Sequence, residues 1–264
     1  MKLLPLLLCL WTFGLNAQVS PLPNAHAHND YEHERPLFDA LEQGFTSVEA
    51  DVHLIDGELY VSHNKPKTLH EEHTLAALYL QPLQKLLAAN GGSIYPGYTE
   101  PFYLMIDIKT DAEATYAILR QQLKGYESML RIYEQDQWLT DGPCVIFLSG
   151  NRPVEKIKRE KRSLVSLDGR PEDIGKGFSA SMMPVISQRY SKILQWRGKG
   201  KIPKKQWKRV KQLAKNAENE GKKLRLWASP EDPNVWETLL KAGADLINTD
   251  ELEGLKLFLR TRKR

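Results

Sequence analysis

Cysteine is almost absent from this chain: 264 residues contain two, Cys9 and Cys144. Cys9 falls in the opening apolar run, so removal of that run leaves Cys144 alone and no intramolecular disulfide to hold the fold. A chain of this length can then rely on its core. Cys144 lies in the run P-C-V-I-F-L and reads as a small buried hydrophobe rather than a nucleophile. Histidine is missing after His73. A metal centre using His26-Ala27-His28 as a ligand pair would need further histidines on later segments, and the chain has none. After the first seventeen residues no stretch is long and apolar enough to cross a bilayer. No glycine-rich phosphate loop follows the first β-like run, which weighs against an open doubly wound sheet. No linker or composition break divides residues 21–264, so one domain is expected.

The opening residues differ from the rest. Lys2 is a small positive region, Leu3 to Leu15 an apolar one, and Leu15-Asn16-Ala17 ends on a small residue. This reads as a signal peptide over residues 1–17, cleaved after Ala17, with export to a periplasmic or extracellular location. Charge is uneven along the chain. Residues 1–150 carry 9 Lys/Arg against 19 Asp/Glu, and residues 151–264 carry 28 against 14. The basic excess concentrates between Lys192 and Arg225. Such a surface attracts anions and would give peripheral contact with an anionic membrane; a solvated Lys-rich helix is the plainer reading. Nothing points to nucleic acid, and a monomer is expected.

From Pro21 onward short β-like runs alternate with helical stretches. The strands read as Leu22 to His26, Thr46 to Val52, Phe102 to Ile108, Cys144 to Leu148, Leu164 to Leu167, Met183 to Ile186, Leu224 to Ala228 and Asp245 to Asn248. A hairpin, Leu54 to Ser62, turns at Asp56-Gly57. Helices are expected at Pro36 to Gln43, Thr74 to Ala89, Ala112 to Tyr133, Val154 to Lys161, Pro203 to Asn219, Asn234 to Lys241 and Glu251 to Leu259. Eight strands alternating with helices imply a parallel sheet closed as a TIM (β/α)8 barrel, spanning residues 18–264.

Chemistry concentrates between Asn24 and Asn64. Residues i and i+2 of a strand share a face, so Glu49-x-Asp51 sets two carboxylates side by side, spaced for a hard cation. His28 precedes this pair and His63 follows it, as an acid and a base about a held substrate would. In such a barrel the site forms at the C-terminal strand ends. Asp107 and Lys109 end the third strand, and Trp227 ends the seventh as a candidate apolar wall. His26 lies two residues from His28, so either is eligible as the first catalytic histidine, and His28 is preferred. His33, His53, His70 and His73 read as surface residues.

The order His28, then Gly44-x-x-x-x-Glu49-x-Asp51-Val52, then Asp56-Gly57 with His63 six residues on, resembles the glycerophosphodiester phosphodiesterase and phospholipase-C-like superfamily. The wording H-N-D-Y…S-V-E-A-D-V is similar to a less characterised branch of it. The likeness extends to L-M-I-D-I-K-T (Leu104 to Thr110) and G-A-D-L-I-N-T-D (Gly243 to Asp250). It implies a (β/α)8 phosphoric diester hydrolase with one divalent cation, Mg2+ or Ca2+, held by Glu49, Asp51 and Asp107. It implies His28 and His63 as acid–base catalysts and a small-molecule or lipid phosphodiester as substrate. Asp107-x-Lys109-Thr110 resembles the sphingomyelinase D and phospholipase D toxins of the superfamily. The family's His-Arg and His-Asp pairs are here His28-Asn29 and His63-Asn64. A positive group near the phosphate is therefore expected to be missing, with Lys109 supplying part of it. Lys109, Trp227, Asn29 and His26 are the candidate substrate contacts. The alternative is a non-catalytic phosphate- or sugar-binding barrel that keeps the site; the presence of both histidines and all three carboxylates favours the enzyme.

Overall fold

The computed structural model describes residues 19–262; the signal peptide expected over residues 1–17 lies outside them. Twelve strands form among these residues: β1 (Leu22–Ala27), β2 (Phe45–Ile55), β3 (Glu58–Val61), β4 (Phe102–Ile108), β5 (Tyr133–Glu134), β6 (Gln137–Trp138), β7 (Cys144–Gly150), β8 (Arg162–Ser163), β9 (Ser166–Gly169), β10 (Val185–Arg189), β11 (Lys223–Trp227) and β12 (Leu246–Thr249). Eight of them are parallel and run β1-β2-β4-β7-β9-β10-β11-β12, with β12 pairing back onto β1. The ring closes, so the barrel has no free edge to cover. β3 folds back antiparallel on the extension of β2. Its turn, Asp56-Gly57, has positive φ at both residues (51° and 84°), as a tight hairpin demands. The short strands β5, β6 and β8 form a separate antiparallel sheet.

Helices α1 (Phe38–Glu42), α2 (Gln81–Ala89), α3 (Ala112–Leu123), α4 (Val154–Lys158), α5 (Tyr190–Ile193), α6 (Lys204–Asn219), α7 (Pro233–Ala242) and α8 (Leu252–Thr261) connect the strands. Outward strand residues such as Val48, Ala50, Leu104, Ile106, Ile146 and Leu226 are fully or almost fully buried in one core with helix residues Leu119, Val210, Val235 and Leu255. Burying each large side chain contributes roughly 1.5–3 kcal/mol. Exposed ion pairs, such as Arg35 with Glu42, contribute about 0–1 kcal/mol, so the core holds the fold. No helix among the described residues is long and apolar enough to cross a membrane.

The barrel interior divides in two. Met105, Phe147, Val185 and Leu246 fill an apolar layer of their own. Toward the C-terminal ends of the barrel strands, His26 of β1, Glu49 and Asp51 of β2, Ser149 of β7, Asp168 of β9, Ser187 of β10, Arg225 of β11 and Asn248 of β12 are all buried. A polar upper half inside a closed barrel marks the mouth as the site.

Several elements differ from their expected bounds. The helix expected over Thr74 to Ala89 begins as a wide π-type turn, Ala76–Leu80, before α2. Pro82 has no N–H to donate to the carbonyl four residues back, and the wider turn absorbs the mismatch. The helix expected over Ala112 to Tyr133 ends at Leu123, where a 3-10 segment, Lys124–Met129, takes over. Tyr133 is then free to enter β5, where its ring meets Trp138 edge-on at 6.4 Å. The fifth and sixth barrel strands lie two residues further along than their apolar runs indicate. His53 is not a surface residue: it is 6% exposed within the β2–β3 hairpin.

A buried carboxylate pins the loop after β1. Asp30 is fully buried and accepts the Leu37 N–H at 2.6 Å and the Tyr79 hydroxyl at 2.8 Å through one oxygen. It thereby fixes Leu37 at φ +67°, a backbone costing about 1–3 kcal/mol in a non-glycine residue. Burial pushes the Asp30 pKa up to about 7, against the donors that lower it. A raised carboxyl pKa means that the folded state binds the proton more tightly. The stability gained is greatest below the unfolded value of about 3.9 and is lost as pH rises to the folded value. Asp30→Asn should therefore lose most of the decline in stability between about pH 4 and pH 7, measured by urea unfolding at both ends. An unchanged decline would place its origin elsewhere.

Candidate active site

The parallel register of β2 and β4 sets Asp51 opposite Asp107 and Glu49 opposite Met105. Neighbouring strands lie about 4.8 Å apart, so Glu49, Asp51 and Asp107 converge. One oxygen from each lies within 4.8 Å of the other two. This span suits oxygen ligands around one hard cation. Glu49 Oε2 accepts from Arg225 Nη2 at 2.7 Å and lies 3.4 Å from His26 Nε2. Lys109 Nζ sits 2.9 Å from Asp51 Oδ2 and 3.0 Å from Asp107 Oδ1. Asp51 Oδ1 is buried and has no hydrogen-bond partner. A buried, orphaned carboxylate oxygen on a residue grouped with two further carboxylates is the observation that fits a cation here. Burial raises the Asp107 pKa; Lys109 opposes this, and Glu49 and Asp51 add to it. Asp107 is also held by its neighbour. Gly150 has φ +65°, and a Cβ there would come 2.2 Å from Asp107 Oδ1.

The two catalytic candidates share one cavity of about 330 Å³ with this trio, Asn29, Lys109 and Trp227. His28 follows β1, and its Nδ1 lies 2.8 Å from Asp250 Oδ1, just beyond β12. Burial disfavours its cation, but the Asp250 hydrogen bond and the Glu49 charge outweigh burial and raise its pKa. Asp250 is lowered in turn: burial would raise it, and the His28 bond prevails. With Nδ1 engaged, Nε2 is the atom left for proton transfer. His63, whose side chain is 56% exposed, has its Nδ1 3.3 Å from Asp51 Oδ2 and 3.3 Å from the Tyr31 hydroxyl.

His26 does not take the place expected of it. It is fully buried, its Nδ1 is 2.7 Å from Ser47 Oγ, and it does not line the cavity. Burial first, then Arg225 and His28, lower its pKa well below the ordinary range. It supports Glu49 from beneath and has no surface to offer a substrate. Nor is positive charge missing from the site: Arg170 and Arg225 both line the cavity. Arg170 Nη1 donates to Asp168 Oδ2 at 2.6 Å, and Ser149 Oγ donates to the same oxygen at 2.9 Å. Arg225 is visible in the sequence, since it alternates with Trp227 on one strand face. Arg170 was hidden, because the apolar run before it placed the strand two residues too early. Tyr31 was also missed. Its hydroxyl is 2.7 Å from Asp51 Oδ2 and 2.8 Å from Asn29 Oδ1. Burial, then the Asp51 charge, raise its pKa, so it remains a neutral donor. A larger cavity, about 610 Å³ around Tyr103, Lys223 and Asp245, contains none of these groups.

Residues 14–165 match the AIM6-like phosphodiesterase domain, more than half of the chain. The chain belongs to this family. Residues 223–253, which span β11 to β12, match the glycerophosphoryl diester phosphodiesterase family. Among relatives of the AIM6-like family, altered inheritance of mitochondria protein 6 of Eremothecium gossypii is 29% identical over 92% of this chain and 71% of its own length. A homolog from Arthroderma benhamiae is 26% identical over 90% and 84%. Two solved structures share the fold. A glycerophosphodiester phosphodiesterase from Parabacteroides distasonis superposes with a TM-score of 0.59 at 18% identity, covering 93% of this chain and 100% of that one. One from Agrobacterium tumefaciens gives 0.50 at 14% identity, covering 91% and 100%. The AIM6-like match spans both histidines and all three carboxylates, and the second match spans Arg225, Trp227 and Asp250.

Two outcomes follow from this geometry. Gly150→Ala should displace the Asp107 carboxylate; a misplacement of about 1 Å can cost about 100-fold in rate. Calorimetric titration with Ca2+ should show weakened binding in the same variant, and wild-type affinity would free Asp107 from this constraint. Asp250→Asn should lower the His28 pKa, read from its ring proton by NMR. Because the folded pKa of His28 is raised, the pair's contribution to stability is present below about pH 6.5 and is lost as pH rises through the folded value. On the acid side, Asp250 is lowered, so the contribution fades as pH falls below about 3.9. An unmoved His28 titration in the variant would mean that Asp250 does not set its charge.

Proposed function

We propose that this protein is an exported phosphoric diester hydrolase that cleaves a glycerophosphodiester or phospholipid-type phosphodiester with one Mg2+ or Ca2+. The observation that carries this reading is the carboxylate trio of Glu49, Asp51 and Asp107, with Asp51 Oδ1 unpartnered, between two histidines in one cavity. A cation bound there supplies a counter-charge to the phosphate oxygens as negative charge builds in the transition state. Arg170 and Lys109, at the cavity wall, add fixed positive charge toward a phosphate. Their hydrogen bonds to Asp168 and to Asp51 and Asp107 hold them in place.

His28 serves as the proton donor, because Asp250 keeps its ring charged to higher pH. It protonates the leaving oxygen through Nε2. His63, beside Tyr31 and Asp51, takes the proton from the attacking hydroxyl, which belongs to water or to a neighbouring group of the substrate. The phosphorus–oxygen bond to the leaving alcohol breaks as the new one forms, and the proton taken by His63 balances the one given by His28. Trp227 walls the cavity where an apolar part of the substrate would lie. A screen of glycerophosphodiesters, lysophospholipids, sphingomyelin and phosphoinositides, with Mg2+ or Ca2+ and product identification, tests the reading.

Each of Glu49→Ala, Asp51→Ala and Asp107→Ala should abolish turnover, and a chelator should do so reversibly. His28→Ala and His63→Ala should each lower kcat by about 10²–10⁴-fold. A substrate with a low-pKa leaving group should rescue His28→Ala and leave His63→Ala slow. Full activity in chelator, or near-native rates in both histidine variants, would sink the proposal.

A further inference from the structure

Between positions 192 and 215 the sequence has ten Lys/Arg and no Asp/Glu. Every one of the ten is exposed, and none pairs with a carboxylate among the described residues. Lysines and arginines elsewhere in the basic half, at positions 158, 162, 170, 176, 222, 225, 241 and 262, do find carboxylates. The unpaired strip begins at α5, crosses the loop before α6 and continues along α6. That loop also contributes Trp196 and Ile202, which with Trp207 of α6 line an open groove of about 630 Å³ against α7. These apolar side chains are only half-buried.

The groove sits beside the mouth of the barrel. The loop follows β10, and in a (β/α)8 barrel the segments after the strands gather at the site end. Gly198 of the loop lies against Asp232, the N-cap residue of α7 in the segment after β11; a Cβ there would approach the Asp232 carboxylate to 2.8 Å. Arg189, which ends β10 just before α5, lies 5.5 Å over the ring of Trp227 in the catalytic cavity. Half-buried tryptophans ringed by unpaired cations suit the boundary between anionic headgroups and acyl chains.

We propose that the α5–α6 face, with the Trp196, Ile202 and Trp207 groove, docks onto an anionic phospholipid surface. This orients the mouth toward the headgroups, a consequence that rests on the phosphodiesterase reading, although the docking itself does not. Binding is therefore measured on its own, by co-sedimentation of the purified protein with phosphatidylcholine vesicles, with and without phosphatidylglycerol. The expected result is pelleting with the anionic vesicles alone. It should be released as salt rises from about 0.1 M toward about 1 M, where the screening length falls from about 10 Å to about 3 Å. Lys204→Glu, Lys208→Glu and Lys211→Glu together should weaken it at least about tenfold. Brominated phosphatidylglycerol should quench tryptophan fluorescence in the wild type and much less in Trp196→Phe/Trp207→Phe. Absence of lipid-dependent pelleting, undiminished binding by the triple variant, or quenching that survives both phenylalanines would overturn the proposal. So would tighter binding of duplex DNA than of anionic vesicles through the same lysines. Hydrolysis of a soluble diester, measured on the triple variant, should be unchanged, which separates failure of docking from failure of the catalytic reading.

Discussion

Three carboxylates forced together inside a barrel mouth are the constraint on which the rest of the site depends. At about 4 Å, two like charges repel by about 4 kcal/mol even at an effective dielectric constant of 20. Asp51 and Glu49 are both essentially buried, and Asp107 is opposite Asp51 in register. The surrounding residues read as answers to that repulsion. Arg225 reaches across the barrel from β11 to Glu49, Lys109 bridges Asp51 and Asp107, and Tyr31 donates toward Asp51 from the loop after β1. Two cations against three anions leave one negative charge and one fully buried oxygen, Asp51 Oδ1, without a partner. A cluster built only for stability would have been completed by the protein. This one is left one cation short, next to a cavity.

The histidines show how environment divides one residue type into two roles. His26 and His28 are two residues apart, one on β1 and the other just past its end. His26 points into the barrel, meets Ser47 and Arg225's field, and is held neutral. His28 lies past the strand end, where the last barrel strand delivers Asp250 to it, and is held toward its charged form. The His28–Asp250 contact thus joins the two ends of the described chain at the point where β12 closes onto β1. The closing pair of strands thus also places the partner of His28. Asp30 adds the loop between them, since the bond that bends Leu37 also fixes the segment carrying Asn29 and Tyr31.

Sequence pattern disclosed this architecture unevenly, for physical reasons. The E-x-D pair, both histidines and the Asp56-Gly57 hairpin were legible because period-two spacing and turn chemistry are local. The barrel was legible because its outward strand faces are apolar and regular. What was lost lay where the inside of the barrel turns polar. The apolar runs of β9 and β10 mark where those strands enter the barrel, whereas Asp168, Arg170, Ser187 and Arg189 mark where they leave it. A strand located by hydrophobicity is therefore placed too early, and the arginine just past its end goes unseen. Tyr31 was missed, and the pairing of Asp250 with His28 was not foreseen, for a different reason. Their roles depend on contacts 20 and 222 residues away in sequence, and no local spacing encodes such distances.

The division of charge along the chain gains its meaning from the closed ring. The acidic half supplies β2 and β4, and with them the carboxylate trio. The basic half supplies β9 and β11, and with them Arg170 and Arg225. In an open sheet these halves would lie side by side, and their charges would meet only at a seam. In a barrel they face each other across the interior, so Glu49 pairs with Arg225 over 176 residues of sequence. Only the cations that point inward can be used this way. Those on α6 are exposed and pair with no carboxylate among the described residues, and their repulsion would favour a less compact state if nothing offset it. An outward, unpaired strip beside the mouth is thus the complement of the inward, over-acidic cluster: neither charge is balanced within the described chain.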